Sequence, residues 1–393
     1  MIYLDHAAAT PLDPVVFKKM EPFLNESYGN ASSIHSQGRA ARAAIEEARA
    51  VVAEHLGANP GEIIFTSGGT EANNWAIFGL AEGNKERGNH VITSVIEHES
   101  ILEPCKQLER RGFKVRSVPV DSRGVIDPAG VGKAVTPKTV FASLMYANNE
   151  IGVVQDICAL SRVLKKKNIL FHTDACQATG YLPMDVQKLG VDALTLNSGK
   201  IYGPKGAGAL YVRGKTRITP LLFGGGQEFR MRAGTENVAA IVGFAEALKL
   251  SFQRKEKETA QIKKLTEAFI RELLNIRGVQ LNGDRRSRLP NNINVSVEGV
   301  SAESLLVRLD MEHIAASAGS ACSSGASEPS HVLKAIGLSD KEVRSGIRFS
   351  LGRRTTAAEI EQTVAAIKDI IEELRSLRPP QKIHTKRVPK SRG

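Results

Sequence analysis

The sequence predicts an α/β protein, with a large domain built on a mostly parallel sheet flanked by helices and a smaller α+β domain. Three observations carry this. From Glu62 to Val212, short apolar runs alternate with segments of helical composition, and strands separated by helices pair in parallel with helices on both faces. The 393 residues are 42% hydrophobic and 24% charged, an ordinary globular composition with ample core for two domains. Polar and glycine-bearing segments fall where the apolar runs stop, and ligands in such sheets bind beyond the carboxyl ends of the strands.

In chain order, Tyr3-Leu-Asp-His-Ala-Ala-Ala-Thr10 precedes Pro11 and Pro14, which open a helix to about Leu24. Residues 25–37 form a polar loop, followed by a long Ala/Glu/Arg helix over about 38–56. Asn59-Pro-Gly is a turn, and Glu62–Thr66 is a short buried strand feeding Ser67-Gly-Gly-Thr70 and a helix over about 71–80. Strands are expected at 90–95, 114–118, 140–146, 169–173, 193–196 and 208–212, with helices at 100–111 and 157–167. A long helix over about 239–263 carries the chain into the second unit. There Leu265, Phe269 and Leu273 form one apolar face, residues 292–297 alternate like a strand, and residues 301–310 and 356–374 form amphipathic helices. The expected division is a large domain at 15–255 and a small one from 1–14 and 256–374, followed by a tail at 375–393.

That tail holds seven of the eleven net positive charges, with no acidic residue, and is expected to be disordered. It could touch RNA or an acidic partner, although such tails more often serve only as solvated ends. No apolar run is long enough to span a membrane. The start of the chain lacks the basic and apolar pattern of a secretory signal. The four cysteines, Cys105, Cys158, Cys176 and Cys322, lack metal-ligand spacing, so no metal site and a reducing, cytoplasmic setting are expected. No Gly-x-Gly-x-x-Gly opens a helix after the early strands, which disfavours a dinucleotide enzyme.

Lys200 stands between two strands, in a turn through Gly203, Pro204 and Gly206. Alone it reads as a surface lysine, but its neighbours are small or apolar, so it can lose its proton readily, as Schiff-base chemistry requires. Ser67-Gly-Gly-Thr70 places backbone amides and a hydroxyl at a positive helix end, an anion site that suits a phosphate. A tight turn with an N-cap explains the segment equally well. Asp174 closes a buried strand, where an acid needs a partner. A protonated pyridine nitrogen would serve, and a helix N-cap is the plainer alternative. Asn148-Asn149 and His98 stand at further strand ends. Arg348, within an apolar run, implies a carboxylate partner. Cys322 sits among tiny residues, Ser317 to Ser327, in a stretch expected to be mobile and to expose the thiol.

These motifs resemble the cysteine desulfurases of the iron–sulfur-cluster and nitrogen-fixation type. The resemblance runs from Tyr3 to about Leu374. It rests on Tyr3-Leu-Asp, residues 29–35, Ser67-Gly-Gly-Thr-Glu-Ala-Asn-Asn74, residues 148–156, Lys200-Ile-Tyr-Gly-Pro-Lys-Gly206, Arg232-Ala-Gly-Thr235, Gly319-Ser-Ala-Cys322 and Arg348-Phe-Ser-Leu-Gly-Arg353. It implies fold type I of the pyridoxal 5'-phosphate enzymes, with Lys200 holding the cofactor and moving protons. Asp174 would pair with the pyridine nitrogen. Gln177 and Asn149 would bond the ring's phenolic oxygen and the substrate side, and His98 would stack on the ring as an acid/base. Gly69 and Thr70 would take the phosphate, which Thr235 would reach from the neighbouring subunit of a homodimer. Arg348 would bind the substrate carboxylate. Cys322 would take the sulfur of L-cysteine as a persulfide, releasing alanine, and pass it to a cluster-scaffold or tRNA-thiolation acceptor.

A selenocysteine lyase or a small aminotransferase would share the fold, but an aminotransferase has no use for Cys322. A non-catalytic sulfur-relay scaffold is the rival of another class. Its basis is a departure: where the family reads Ser-Gly-His before the lysine, this chain has Asn197-Ser198-Gly199, and weaker cofactor retention is expected. A second departure is Phe229-Arg230 after Glu228, where the family often has Arg-Gly.

Overall fold

The computed structural model describes residues 1–319 and 329–377. Its strands are β1 (Ile2–Tyr3), β2 (Ile63–Thr66), β3 (His90–Ser94), β4 (Lys114–Val118), β5 (Thr139–Ser143) and β6 (Leu170–Asp174). They continue with β7 (Ala193–Asn197), β8 (Gly208–Val212), β9 (Val279–Leu281), β10 (Asn292–Val297), β11 (Ile314–Ala315) and β12 (Gly346–Ser350). Seven form one sheet in the order β2-β8-β7-β6-β5-β3-β4. Pairing is parallel from β4 through β7, and β8 runs antiparallel to both β7 and β2. β2 therefore points the same way as β3 to β7, and six carboxyl ends share one edge. Except for the exposed edge strand β4, these strands are buried almost throughout, as expected of a sheet covered on both faces.

A second layer of structure packs beside that edge. β12, β10 and β9 form an antiparallel sheet, and β1 pairs in parallel with β11. Its own apolar cluster includes Phe269 and Phe349, whose ring centroids are 5.2 Å apart. The helices Ala302–Met311 and Ala357–Ser376 cover it, the latter opened by a capping box of Thr356 and Glu359.

Two helix boundaries differ from expectation. The first helix stops at Met20 and resumes at Pro22–Asn25, because Pro22 has no N–H to continue the ladder. The long helix runs from Val238 to Leu274, 37 residues, and absorbs Leu265, Phe269 and Leu273. No proline, glycine or cap interrupts its charged middle, so nothing ends it there. The glycine-rich Gly224–Glu228 segment ends in a buried contact. Arg49 donates from Nη1 and Nη2 to the Glu228 carboxylate at 2.8 and 2.7 Å, while lying over the Phe65 and Phe229 rings. Glu228, Phe229 and Arg230 all have positive φ, at 44°, 58° and 64°. The two-pronged ion pair holds a turn that costs each of these residues backbone strain.

Candidate active site

One cavity opens at the shared carboxyl edge of the large sheet. It is lined by Gly69, Thr70, Asn73, His98, Ser100, Asn149, Asp174, Cys176, Gln177, Asn197, Lys200 and Arg348, with Ala7 and Ala8 closing one side. The segments carrying these side chains follow β2, β3, β5, β6 and β7, with Arg348 coming from β12. The structure thus brings together Lys200, Asp174, His98, Gln177, Asn149, Gly69, Thr70 and Arg348.

Lys200 ends a short turn, Ser198–Lys200. Its Nζ donates to the carbonyl oxygens of Ala7 and Ala8 at 2.8 and 2.6 Å, and Gln177 Nε2 donates to Ala7 O at 2.9 Å. The N-terminal segment is laced to the same turn, with Thr10 Oγ1 donating to Gly199 O and accepting from Tyr202 N. Small side chains at residues 7–9 let this backbone approach the lysine.

Asp174 is held by both oxygens, Oδ1 accepting from Cys176 N at 2.9 Å and Oδ2 from Asn73 Nδ2 at 2.7 Å. Beneath it His172 is wholly buried between Ser143 and Thr195, and desolvation pushes its pKa down to about 4, leaving a neutral ring. Glu97, next to His98, is also fully enclosed. Burial pushes its pKa up to about 8, against hydrogen bonds from Ser94 and Met145 N, and its Oε2 has no partner.

Asn149 projects from a turn that its neighbours build. Asn148 accepts at Oδ1 from Glu150 N and Ile151 N and donates to Ile96 O, while Gly152 adopts φ 72° hard against Asn292. Asn292 and Asn294 of β10 donate to the carbonyls of Asn149 and Glu150. Arg348, 1% exposed, donates from Nη2 to Asp5 Oδ1 at 2.7 Å and from Nη1 to Asn149 O at 3.0 Å. The carboxylate partner that the sequence demanded is therefore supplied by the chain's own N-terminal segment.

A helix N-terminus stands where Ser67-Gly-Gly-Thr70 led one to expect it. Gly68 caps the helix Gly69–Gly83 without a side-chain bond, and the helix's first turn aims its amides at the cavity. A Cβ on Gly69 would come within 2.7 Å of Cys176 Sγ, so only glycine leaves that approach open. The altered triplet resolves clearly. Asn197 lines the cavity, its Oδ1 accepting from Gly199 N at 3.0 Å and its Nδ2 lying toward Gly69. Ser198 does not compensate: its side chain packs toward Gly203, and its buried Oγ has no partner. Gly199 leaves room, since a Cβ there would meet nothing nearer than Asn197 Oδ1 at 3.6 Å. Anion-directed amides, a paired acid, a lysine and an arginine in one cleft fit the charges of pyridoxal phosphate and an amino acid.

Thr235 lies outside this cavity, exposed in a neighbouring hollow lined by Ser67, Gly206 and Arg232. Cys322 and the tail beyond Leu377 lie outside the described residues. Among the described residues, no group of three His, Cys, Asp or Glu side chains could hold a metal, and no helix is long and apolar enough to cross a membrane. Sequence reasoning missed Asp5, Ala7, Ala8, Asn73, Ser100 and Cys176. All but Ser100 lie inside or beside motifs already singled out, but their roles depend on contacts across more than a hundred residues. Ser100's signal was local: it stands two places after His98.

A family model described as Aminotransferase class-V matches residues 2–363. A protein named cysteine desulfurase IscS from Dictyoglomus turgidum is 49% identical over 379 residues, covering 96% of each chain. Among solved structures, one titled NifS-like protein superposes with a TM-score of 0.90 at 37% identity, over 95% of this chain and 99% of that one. Another, titled SspA in complex with cysteine, gives 0.80 at 36% identity, over 91% and 100% of the two chains.

Proposed function

Because this chain belongs to the cysteine desulfurases of the class-V aminotransferase family, we propose that it moves sulfur from L-cysteine onto Cys322 as a persulfide, releasing L-alanine. The cofactor is pyridoxal 5'-phosphate. When bound, it supplies an electron sink for the pair released at the substrate's α carbon. Lys200 holds it and carries protons. Asp174, fixed through both oxygens, would pair with the pyridine nitrogen. The first-turn amides of Gly69 and Thr70 hold the phosphate, joined by Thr235 of a second subunit. Gln177 and Asn149 would bond the ring oxygen and the substrate, and His98 would lie against the ring as acid or base. Arg348 takes the substrate carboxylate, exchanging Asp5 for it. The Cys322 thiolate attacks the substrate sulfur. As the S–S bond forms, the C–S bond breaks, its electron pair stays with carbon, and the β carbon gains a proton.

The observation that carries this reading is the gathering of Lys200, Asp174, His98 and Arg348 around one cleft at a helix N-terminus. A homodimer is supported by the exposed apolar side chains of Tyr28, Ile34 and Phe223 and by Thr235 outside the cavity. Sulfur then passes to an acceptor protein, either a cluster scaffold or a tRNA-thiolation enzyme. Free Cys105, Cys158 and Cys176 support a reducing, cytoplasmic setting. The split at 15–255 against 1–14 with 256–374 is part of the same reading, supported by the separate apolar cluster around Phe269.

The test is visible absorption of the purified protein with and without L-cysteine, alongside alanine and sulfide assays. A cofactor band that shifts with cysteine, and alanine release lost in Cys322→Ala, are expected. A chain that binds no pyridoxal phosphate and releases no alanine would make it a sulfur-relay scaffold instead.

A further inference from the structure

Asn73, Ser100, His98 and Asp174 form a continuous hydrogen-bonded chain along one wall of the cavity. Asn73, 1% exposed, donates from Nδ2 to Asp174 Oδ2 at 2.7 Å and to Ser100 Oγ at 2.8 Å. The acceptor on Asp174 fixes which end of the amide is nitrogen, since a carboxylate offers no proton in return. Ser100 Oγ lies 2.8 Å from His98 Nδ1, and the Ser100 backbone N–H points at the same nitrogen from 3.1 Å.

The polarity of the chain follows from these donors. A backbone N–H can only donate, so Nδ1 must present a lone pair. Ser100 Oγ already accepts from Asn73, so its own proton goes to Nδ1 as well. The ring proton is then left on Nε2, which meets no hydrogen-bonding partner among the described residues. We infer that Ser100 and Asn73 are positioning residues that lock His98 in the Nε2–H tautomer and tie its orientation to Asp174. His98 thereby enters the reaction as a proton donor through Nε2, with Nδ1 closed to protons.

The wiring carries a cost. Using Nδ2 for both acceptors leaves Asn73 Oδ1 buried without a partner. An unmet polar atom of that kind is destabilising, and departures from full satisfaction concentrate at functional sites. A simple helix cap would need only the Ser100 amide and the His98 ring. It would give no reason for a buried asparagine to bridge them to Asp174.

The inference rests on His98 acting as the acid or base of the proposed reaction, but it can be measured apart from turnover. The experiment is long-range proton–nitrogen correlation on the full chain labelled with ¹⁵N-histidine, with and without pyridoxal phosphate. His98 is assigned by its loss in His98→Gln. A pyridine-like Nδ1 and a protonated Nε2 at about pH 7.5 are expected. Ser100→Ala keeps the backbone N–H at Nδ1 but cuts the tie through Asn73 to Asp174, so it should shift the His98 nitrogen resonances and lower kcat about tenfold, a part of the ~10²–10⁴ that a positioned acid/base contributes. Ser100→Thr should restore both. A wild-type His98 protonated at Nδ1, or His98 resonances unmoved by Ser100→Ala, would overturn the inference. Wild-type protein with the expected spectrum but no alanine release would overturn the reaction and uphold the tautomer.

Discussion

Arg348 and Asp5 form a buried ion pair at 2.7 Å, joining the first turn of the chain to a strand in its last quarter. The guanidinium side chain is 2% exposed and that of Asp5 17%, so neither has water as a ready substitute. Removing one member of such a pair leaves a buried charge and typically costs 3–5 kcal/mol. Asp5→Ala should therefore lower stability by about 3 kcal/mol in denaturant titration. L-cysteine should protect the variant more than the wild type, because its carboxylate can fill the vacated place. Equal protection of both would show that the substrate carboxylate does not bind at Arg348.

Asn197 and Gly199 bear on cofactor retention. Asn197→Ala removes the amide facing Gly69 and should weaken pyridoxal phosphate binding. The double change Asn197→Ser with Gly199→His should tighten it about tenfold, since a hydrogen bond to a charged group contributes about 1.5–3 kcal/mol. The free space at Gly199 makes this accessible. Fluorescence titration of apoprotein with the cofactor measures both. Unchanged affinity in the double variant would mean that Asn197 already supplies what the missing residues would.

Glu97 makes stability depend on pH. Its folded pKa of about 8 lies well above the usual carboxylate range because of burial. Between roughly pH 4.5 and 8 the folded chain keeps a proton that the unfolded chain has released. Stability contributed by this group is therefore lost as pH rises, at up to about 1.4 kcal/mol per pH unit. Glu97→Gln abolishes that slope, so its Tm should exceed the wild type's by a margin that grows from pH 5 to pH 8. Parallel Tm curves would refute a neutral Glu97.

The thiols should separate in alkylation. Cys105 and Cys176 are buried, and burial raises the first to about 12 and the second well above its ordinary value. Cys158 is exposed. Iodoacetamide followed by mass spectrometry should mark Cys158 within minutes and leave Cys105 and Cys176 unmarked until the chain is denatured. Labelling of Cys176 in native protein would mean that the wall beside Gly69 opens to solvent.

The sheet was legible because its strands are uniform apolar runs between helices of clear period, and every expected strand occurs within a few residues of its place. Lys200, Asp174 and His98 were legible for a related reason: each closes one of those runs. Asp5 was not, since a carboxylate in a short N-terminal segment gives no sign that it will meet Arg348. Asn73 was hidden by helical surroundings in which an asparagine passes for a neutral surface choice. The extent of the long helix was missed because a change of face, from the large core to the Phe269 cluster, leaves no local break in the pattern.

The lacing of residues 5–10 also dictates when the cleft can exist. Asp5 waits 343 residues for Arg348, and Ala7 waits 193 for Lys200. At ribosomal speeds of ~5–20 residues per second, that first wait is roughly 20–70 s. The large sheet can form while β12 is still unmade, yet it then has one wall of its cleft hanging loose and an aspartate without its cation. The place for the substrate carboxylate is therefore completed only late in synthesis, and chains halted before Gly346 should have their sheet built yet fail to hold L-cysteine.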